Sequence, residues 1–182
     1  MTKSCLILGL AVLLTNCAAP LALSDLKAVP QGEAVVFGRV EVIWEGKPIV
    51  WPETGFRFFV QGPPSIFQIF ILPDSASEEI HYVLSGDGSF YWHLPPGGYT
   101  VTGFQRGASG GGFYRGRIFA LFTVPQEQSV VYLGTLTLDF FGKGDQMRVK
   151  DEYDQALQGV KSKFPELGSK AAKNLMQLEK PL

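Results

Sequence analysis

The sequence predicts a mainly β protein: an antiparallel β-sandwich of about seven to eight strands with two short C-terminal α-helices. Three observations predict it. The chain holds 14 Phe, 6 Tyr and 3 Trp beside 21 Gly and 12 Pro, a mixture that favours strands and turns over long helices. Apolar residues alternate with polar ones through much of the chain, the period of a half-buried strand. Turn residues recur at roughly 8–14-residue spacing, which suits a sandwich or barrel and leaves no room for the crossover helices of a parallel α/β sheet.

The strands follow in order. In 36–44, Val40, Val42 and Trp44 alternate with Arg39, Glu41 and Ile43, and Gly46, Lys47 and Pro48 turn the chain. Strands are predicted at 55–60, at 66–72 (apolar on both faces) and at 80–84. In 89–94, Phe90, Trp92 and Leu94 share one face and Ser89, Tyr91 and His93 the other. Pro95, Pro96, Gly97 and Gly98 then reverse the chain, because proline fixes φ and glycine accepts φ > 0. Strands at 99–105, 117–124 and 130–140 complete the set. In the last, Val130, Tyr132, Leu136, Leu138 and Phe140 are expected on one face with Gly134, and Thr135, Thr137 and Asp139 on the other.

The period changes after residue 142. Tyr153, Ala156, Leu157 and Val160 form a helical stripe within 151–161, and Leu167, Ala171, Leu175 and Leu178 form a second within 165–178, with Pro165 suited to a first turn. The stripes either pack on the sandwich or dock a partner.

The N-terminus carries Lys3, then an unbroken apolar run over 5–14, long enough for a signal-peptide core and too short to span a bilayer comfortably. Leu14, Thr15, Asn16 and Cys17 follow. This stretch resembles the lipobox of bacterial lipoproteins, with Asn16 where Gly, Ala or Ser is usual. The resemblance implies acylation of Cys17 and attachment to the membrane through that lipid. Ala18 after the cysteine implies the periplasmic face of the outer membrane in a Gram-negative host. Ordinary cleavage after Ala22, Leu23 and Ser24, giving a secreted or periplasmic protein, is the alternative; an uncleaved anchor is a third. The expected layout is therefore a signal peptide over 1–17, a Pro- and Gly-containing tether over 18–32, a β-sandwich over 33–141 and a helical extension over 142–182.

Asp87, Gly88 and Phe90 form a D-G-x-F turn and strand, and Leu94, Pro95, Gly98 and Tyr99 follow within L-P-P-G-G-Y. This pattern resembles the carboxypeptidase regulatory-like and transthyretin-like domains. The opening strand at 36–44 and its Gly46–Lys47–Pro48–Ile49 turn look like the first strand and turn of the same family. The resemblance implies a prealbumin-like sandwich, an accessory or binding role and no catalytic residues.

Functional chemistry is sparse. Cys5 and Cys17 are the only cysteines, so nothing downstream forms a disulfide or a thiolate metal site. A net charge of −1 gives no global field for nucleic acid. His81 and His93 lack the flanking ligands of a metal site, and no nucleophile elbow is present. Glu78–Glu79 and Asp151–Glu152 read as solvated termini. The phenylalanines at 56, 58, 59, 67 and 70 are core, or line an apolar groove. The most unusual segment is 103–117, where Gly110, Gly111 and Gly112 lie between Arg106 and the pair Arg115 and Arg117. It is either a hairpin loop or a site whose backbone N–H groups and arginines bind a partner, an anionic glycan or a lipid headgroup. The expected function is a membrane-anchored, non-enzymatic interaction or accessory module of the cell envelope. It needs no cofactor and no metal, binds no nucleic acid, and has an envelope protein as its candidate partner. The alternative is a carrier of a hydrophobic small molecule or lipid.

Overall fold

A computed structural model describes residues 31–50, 67–84, 86–107, 113–127, 129–140, 146–165, 167 and 171–179. Cys17, most of the tether, the strand expected at 55–60 and Gly110, Gly111 and Gly112 lie outside the described residues.

Among the described residues eleven strands form two sheets, and there is one helix. The first sheet contains β1 (Ala34–Trp44), β2 (Lys47–Pro48), β5 (Ser89–Leu94), β8 (Val130–Asp139), β9 (Gln146–Lys150) and β10 (Ala172–Lys173). β1 and β8 are its centre; β2 and β5 pair with β1, and β9 and β10 pair with β8. The second sheet runs β11 (Gln177–Leu178), β7 (Phe113–Val124), β6 (Gly97–Gly107), β3 (Phe67–Pro73), β4 (Ile80–Val83). Every pairing in the second sheet is antiparallel.

The two sheets share one apolar core. Val36, Val40, Val42, Phe90, Trp92, Leu136 and Leu138 of the first meet Phe67, Ile69, Ile71, Tyr99, Val101, Ile118 and Phe122 of the second. Rings fill the space between them: Phe67 stacks on Phe104 at 5.1 Å, Phe90 on Trp92 at 3.7 Å and Tyr99 on Phe122 at 5.2 Å. Each such side chain contributes about 1.5–3 kcal/mol on burial.

Four expectations need correction. The first sheet is not wholly antiparallel: β1 runs parallel to β8, and β10 runs parallel to β8. These partners are far apart in sequence, so no tight hairpin constrains their direction. The strand count rises because β2, β9, β10 and β11 were not foreseen.

The described residues of the expected second C-terminal helix form no helix; 172–173 and 177–178 are strands. The helix-like spacing of Leu167, Ala171 and Leu175 is real, and all three pack into one outer cluster. Met176, next in sequence to Leu175, enters the central core instead. Neighbours on opposite faces require extended backbone. The N–H groups of Asn174 and Met176 donate to the carbonyls of Tyr132 and Leu133, both at 2.9 Å. The free edge of β8 thus outweighs local helical preference.

The faces of β8 form the fourth correction. Val131, Leu133, Leu136 and Leu138 face the central core, whereas Val130 and Tyr132 face outward. The ladder to β1 passes from Phe37↔Tyr132 to Arg39↔Thr135, so Leu133 and Gly134 together oppose Gly38. This bulge reverses the alternation once. Gly134 takes φ 95°, and a Cβ on Gly38 would overlap the Gly134 carbonyl oxygen and lie 2.8 Å from the Phe90 ring.

The expected first helix is α1 (Tyr153–Lys163). Tyr153, Ala156, Leu157 and Val160 pack on Phe37, Val130 and Tyr132, forming a second cluster on the outer face of the first sheet. The second sheet has no helix over it among the described residues.

Candidate functional site

The arginines of the 103–117 segment are split between two faces. On β6, Arg106 points toward the end of the core, where its guanidinium lies 5.1 Å from the Trp44 ring, 4.9 Å from Tyr114 and 5.8 Å from Phe140. Its Nε is buried without a hydrogen-bond partner. Arg106 therefore ties β6 and β7 to the ends of β1 and β8, a cation–π contact between the sheets. Arg115 lies on the open face of the second sheet, 4.4 Å over Phe70, and pairs with Glu79. Arg117 opposes Gly103 on that strand and is exposed.

Glu79 is thus no solvated terminus. It accepts a hydrogen bond from Thr102 Oγ1 at 2.7 Å and another from Arg115, with His81 Nε2 at 3.8 Å. Burial alone would raise its pKa; the hydrogen bonds from Thr102 and Arg115 and the adjacent charges outweigh that and hold it below the ordinary value. Phe70, only 1% exposed, lies beneath this cluster, while Phe67 is in the central core.

The β6–β7 ladder continues to Gly107↔Phe113. At that end Phe113 is 64% and Tyr114 48% exposed. Sequence reading weighed the glycines and arginines and passed over these two rings. The aromatic end has Arg106 and Arg117 close by, with Arg115 paired to Glu79. It lies opposite the end at which the chain enters the sheet. Ala34 opens β1 beside Leu94, close to where β6 begins, whereas Trp44 closes β1 beside Arg106. Eleven residues of β1 separate the two ends, roughly 35 Å.

No family model, curated protein or solved structure matches the chain. The site must therefore be read from its own geometry.

A cleft of about 130 Å³ opens between the outer face of the first sheet and the first turns of α1. Its walls include Arg39, Asp87, Tyr91, Thr135, Glu152 and Gly159. Arg39 Nε donates to the Asp87 carbonyl at 2.9 Å, and the Ser89 N–H donates to Asp87 Oδ1 at 3.0 Å. Thr135 Oγ1 donates to Glu152 Oε2, and the Glu152 N–H donates to the Tyr132 hydroxyl oxygen, both at 2.7 Å. Beside the cleft Glu41 accepts from Lys150 Nζ at 2.6 Å and from Thr137 Oγ1 at 3.2 Å. Burial would raise the Glu41 pKa, but Lys150, Thr137 and Arg39 together hold it below the usual value. Asp87 is lowered in the same way, its burial outweighed by the bonds from Ser89 and by Arg39. Burial, helped by Asp87, raises Tyr91.

Sequence reading missed this cleft because its walls come from four separate stretches. The available signal was Asp151–Glu152 at the start of a helix, which was read as solvated.

The two histidines are far from forming one site. His81 lies on the open face of the second sheet. His93 stands outward on β5 as expected, with Nδ1 3.8 Å from Glu33 and Nε2 buried without a partner. Among the described residues no three His, Cys, Asp or Glu side chains gather to hold a metal ion. No helix among them is long and apolar enough to cross a membrane.

Proposed function

We propose that this chain is a lipid-anchored, non-enzymatic interaction module of the bacterial envelope, held through Cys17 and engaging an acidic partner with the end of its β6–β7 hairpin. The carrying observation is the exposure of Phe113 and Tyr114 beside Arg115 and Arg117, at the end opposite the chain's entry into the sheet. Large apolar rings on a surface favour contact with a partner, and arginine and aromatic residues dominate binding energy in interfaces. A tether over 18–32, up to roughly 50 Å when extended, would hold the body off the membrane and present that end away from it.

The proposal extends to the fold. On this reading the two-sheet body is a prealbumin-like sandwich, supported by the bonds that the Asp87–Gly88 and Pro95–Tyr99 turns make. The Gly88 carbonyl accepts the Val40 N–H at 2.9 Å, and Tyr99 Oη donates to the Pro95 carbonyl at 2.7 Å. The carrier alternative would require the stacked rings between the sheets to separate.

Two measurements test this reading. Radiolabelled palmitate is expected in the wild-type chain and not in Cys17→Ser; equal labelling removes the anchor. Affinity capture after cross-linking in membranes is expected to yield a discrete partner that Phe113→Ser/Tyr114→Ser loses. Capture unchanged by that double substitution, or recovery of lipid alone, overturns the interaction role.

A further inference from the structure

We propose that the cleft between the first sheet and α1 is a binding site for a single primary ammonium group. This inference is independent of the anchor and of the hairpin end. Three features of the cleft carry it.

The first is charge balance. The Asp87 carboxylate accepts from the Ser89 N–H and feels the nearby Arg39 charge, and Glu41 is paired with Lys150 and Arg39. Glu152, by contrast, has no cation within ion-pair distance among the described residues. One of its oxygens accepts from Thr135, and the other is left for a donor. A carboxylate with that vacancy, in a cleft of restricted solvent, prefers a charge-assisted N–H donor.

The second feature is fixed geometry. The Thr135 hydroxyl and the Tyr132 contact hold Glu152 from its side chain and its backbone, so it needs little reordering to bind. The third is the shape of the helix wall. Gly159 leaves the cleft open, since a Cβ there would approach the Tyr91 hydroxyl oxygen to 3.3 Å. Tyr91 and Phe37 supply aromatic walls suited to a cation and its alkyl stem. A cleft of about 130 Å³ has room for an aminoalkyl group.

The ammonium has two sources, a free small amine or the lysine side chain of a partner protein. The test uses the full chain in detergent, with amide NMR shifts read during titration. The probes are n-butylamine, a terminally blocked Gly-Lys-Gly peptide and butyrate. Butylamine or the peptide is expected to give saturable shifts at Thr135, Glu152, Gln155 and Gly159, and butyrate none. Stronger binding of butylamine identifies a free amine, and stronger binding of the peptide a presented lysine. Glu152→Gln is expected to weaken binding roughly tenfold, the loss of one charge-assisted contact. Gly159→Val, which leaves every polar group in place, is expected to block binding while the remaining spectrum stays native. Absence of saturable shifts with both amines, equal shifts with butyrate, or unaltered binding by folded Gly159→Val overturns the proposal.

Discussion

Single side chains set the acid limit of this fold. Burial lowers the His93 pKa below its ordinary 6.5, with Glu33 opposing in part. The folded protein therefore binds fewer protons at this site than the unfolded chain does. Stability from neutral His93 is complete above the unfolded value and is lost as pH falls through it toward the lowered folded value. Glu41, Glu79 and Asp87 are also lowered, so their contribution is present above the ordinary carboxylate range and falls away in more acidic solution. Urea midpoints are expected to drop between pH 7 and pH 5 in the wild type and to stay flatter in His93→Gln over that window. Identical slopes would show that His93 is not linked to folding. Backbone crowding gives a second prediction at this scale. Gly38→Ala should cost about 1–3 kcal/mol, measured by chemical denaturation, because the new methyl meets the Gly134 carbonyl and the Phe90 ring. A change within ~0.5 kcal/mol, typical of surface positions, would mean that the bulge is not packed as described.

At the scale of elements, alternation was legible and its interruptions were not. Ser89–Leu94 obeys its period throughout, with Phe90, Trp92 and Leu94 buried. Val130–Asp139 departs from it at one bulge, which no local pattern marks except Gly134 itself. Gln146–Lys150 was invisible as a strand because it is short and polar, and its pairing with β8 supplies what its side chains do not. The 165–178 stripe misled because a spacing of four suits both a helix and every second pair of strand positions. Met176 separates the two readings. On a helix it stands off the stripe of Leu167, Ala171, Leu175 and Leu178, and truncating it would change stability by less than ~0.5 kcal/mol. In the strand arrangement it is 4% exposed in the central core, so Met176→Ala should cost about 2–5 kcal/mol. Denaturant titration of that variant decides between them. The candidate sites were legible only in part. Arg106, Arg115 and Arg117 were found as a cluster in sequence, yet strand alternation sends Arg106 to one face and the other two to the opposite face. The cleft under α1 is lined by residues as far apart in sequence as Arg39 and Glu152, which composition and spacing do not bring together.

For the whole molecule, the layout has a direction. The chain enters at Glu33 and Ala34, runs the length of β1, and meets the aromatic arginine box around Arg106 at the far end. One outer face is covered by α1, and the other displays Glu79, His81, Arg115 and Arg117. The proposed role would use that polarity, with attachment at one end and contact at the other. Site-specific photo-cross-linking in intact membranes tests it most directly, with a benzoyl-phenylalanine placed in turn at Phe113 and at Glu33. The account predicts a discrete protein adduct from position 113 that disappears when Arg117 is replaced by Glu, and no such adduct from position 33. Adducts of equal yield from both positions, or none from position 113, would contradict it.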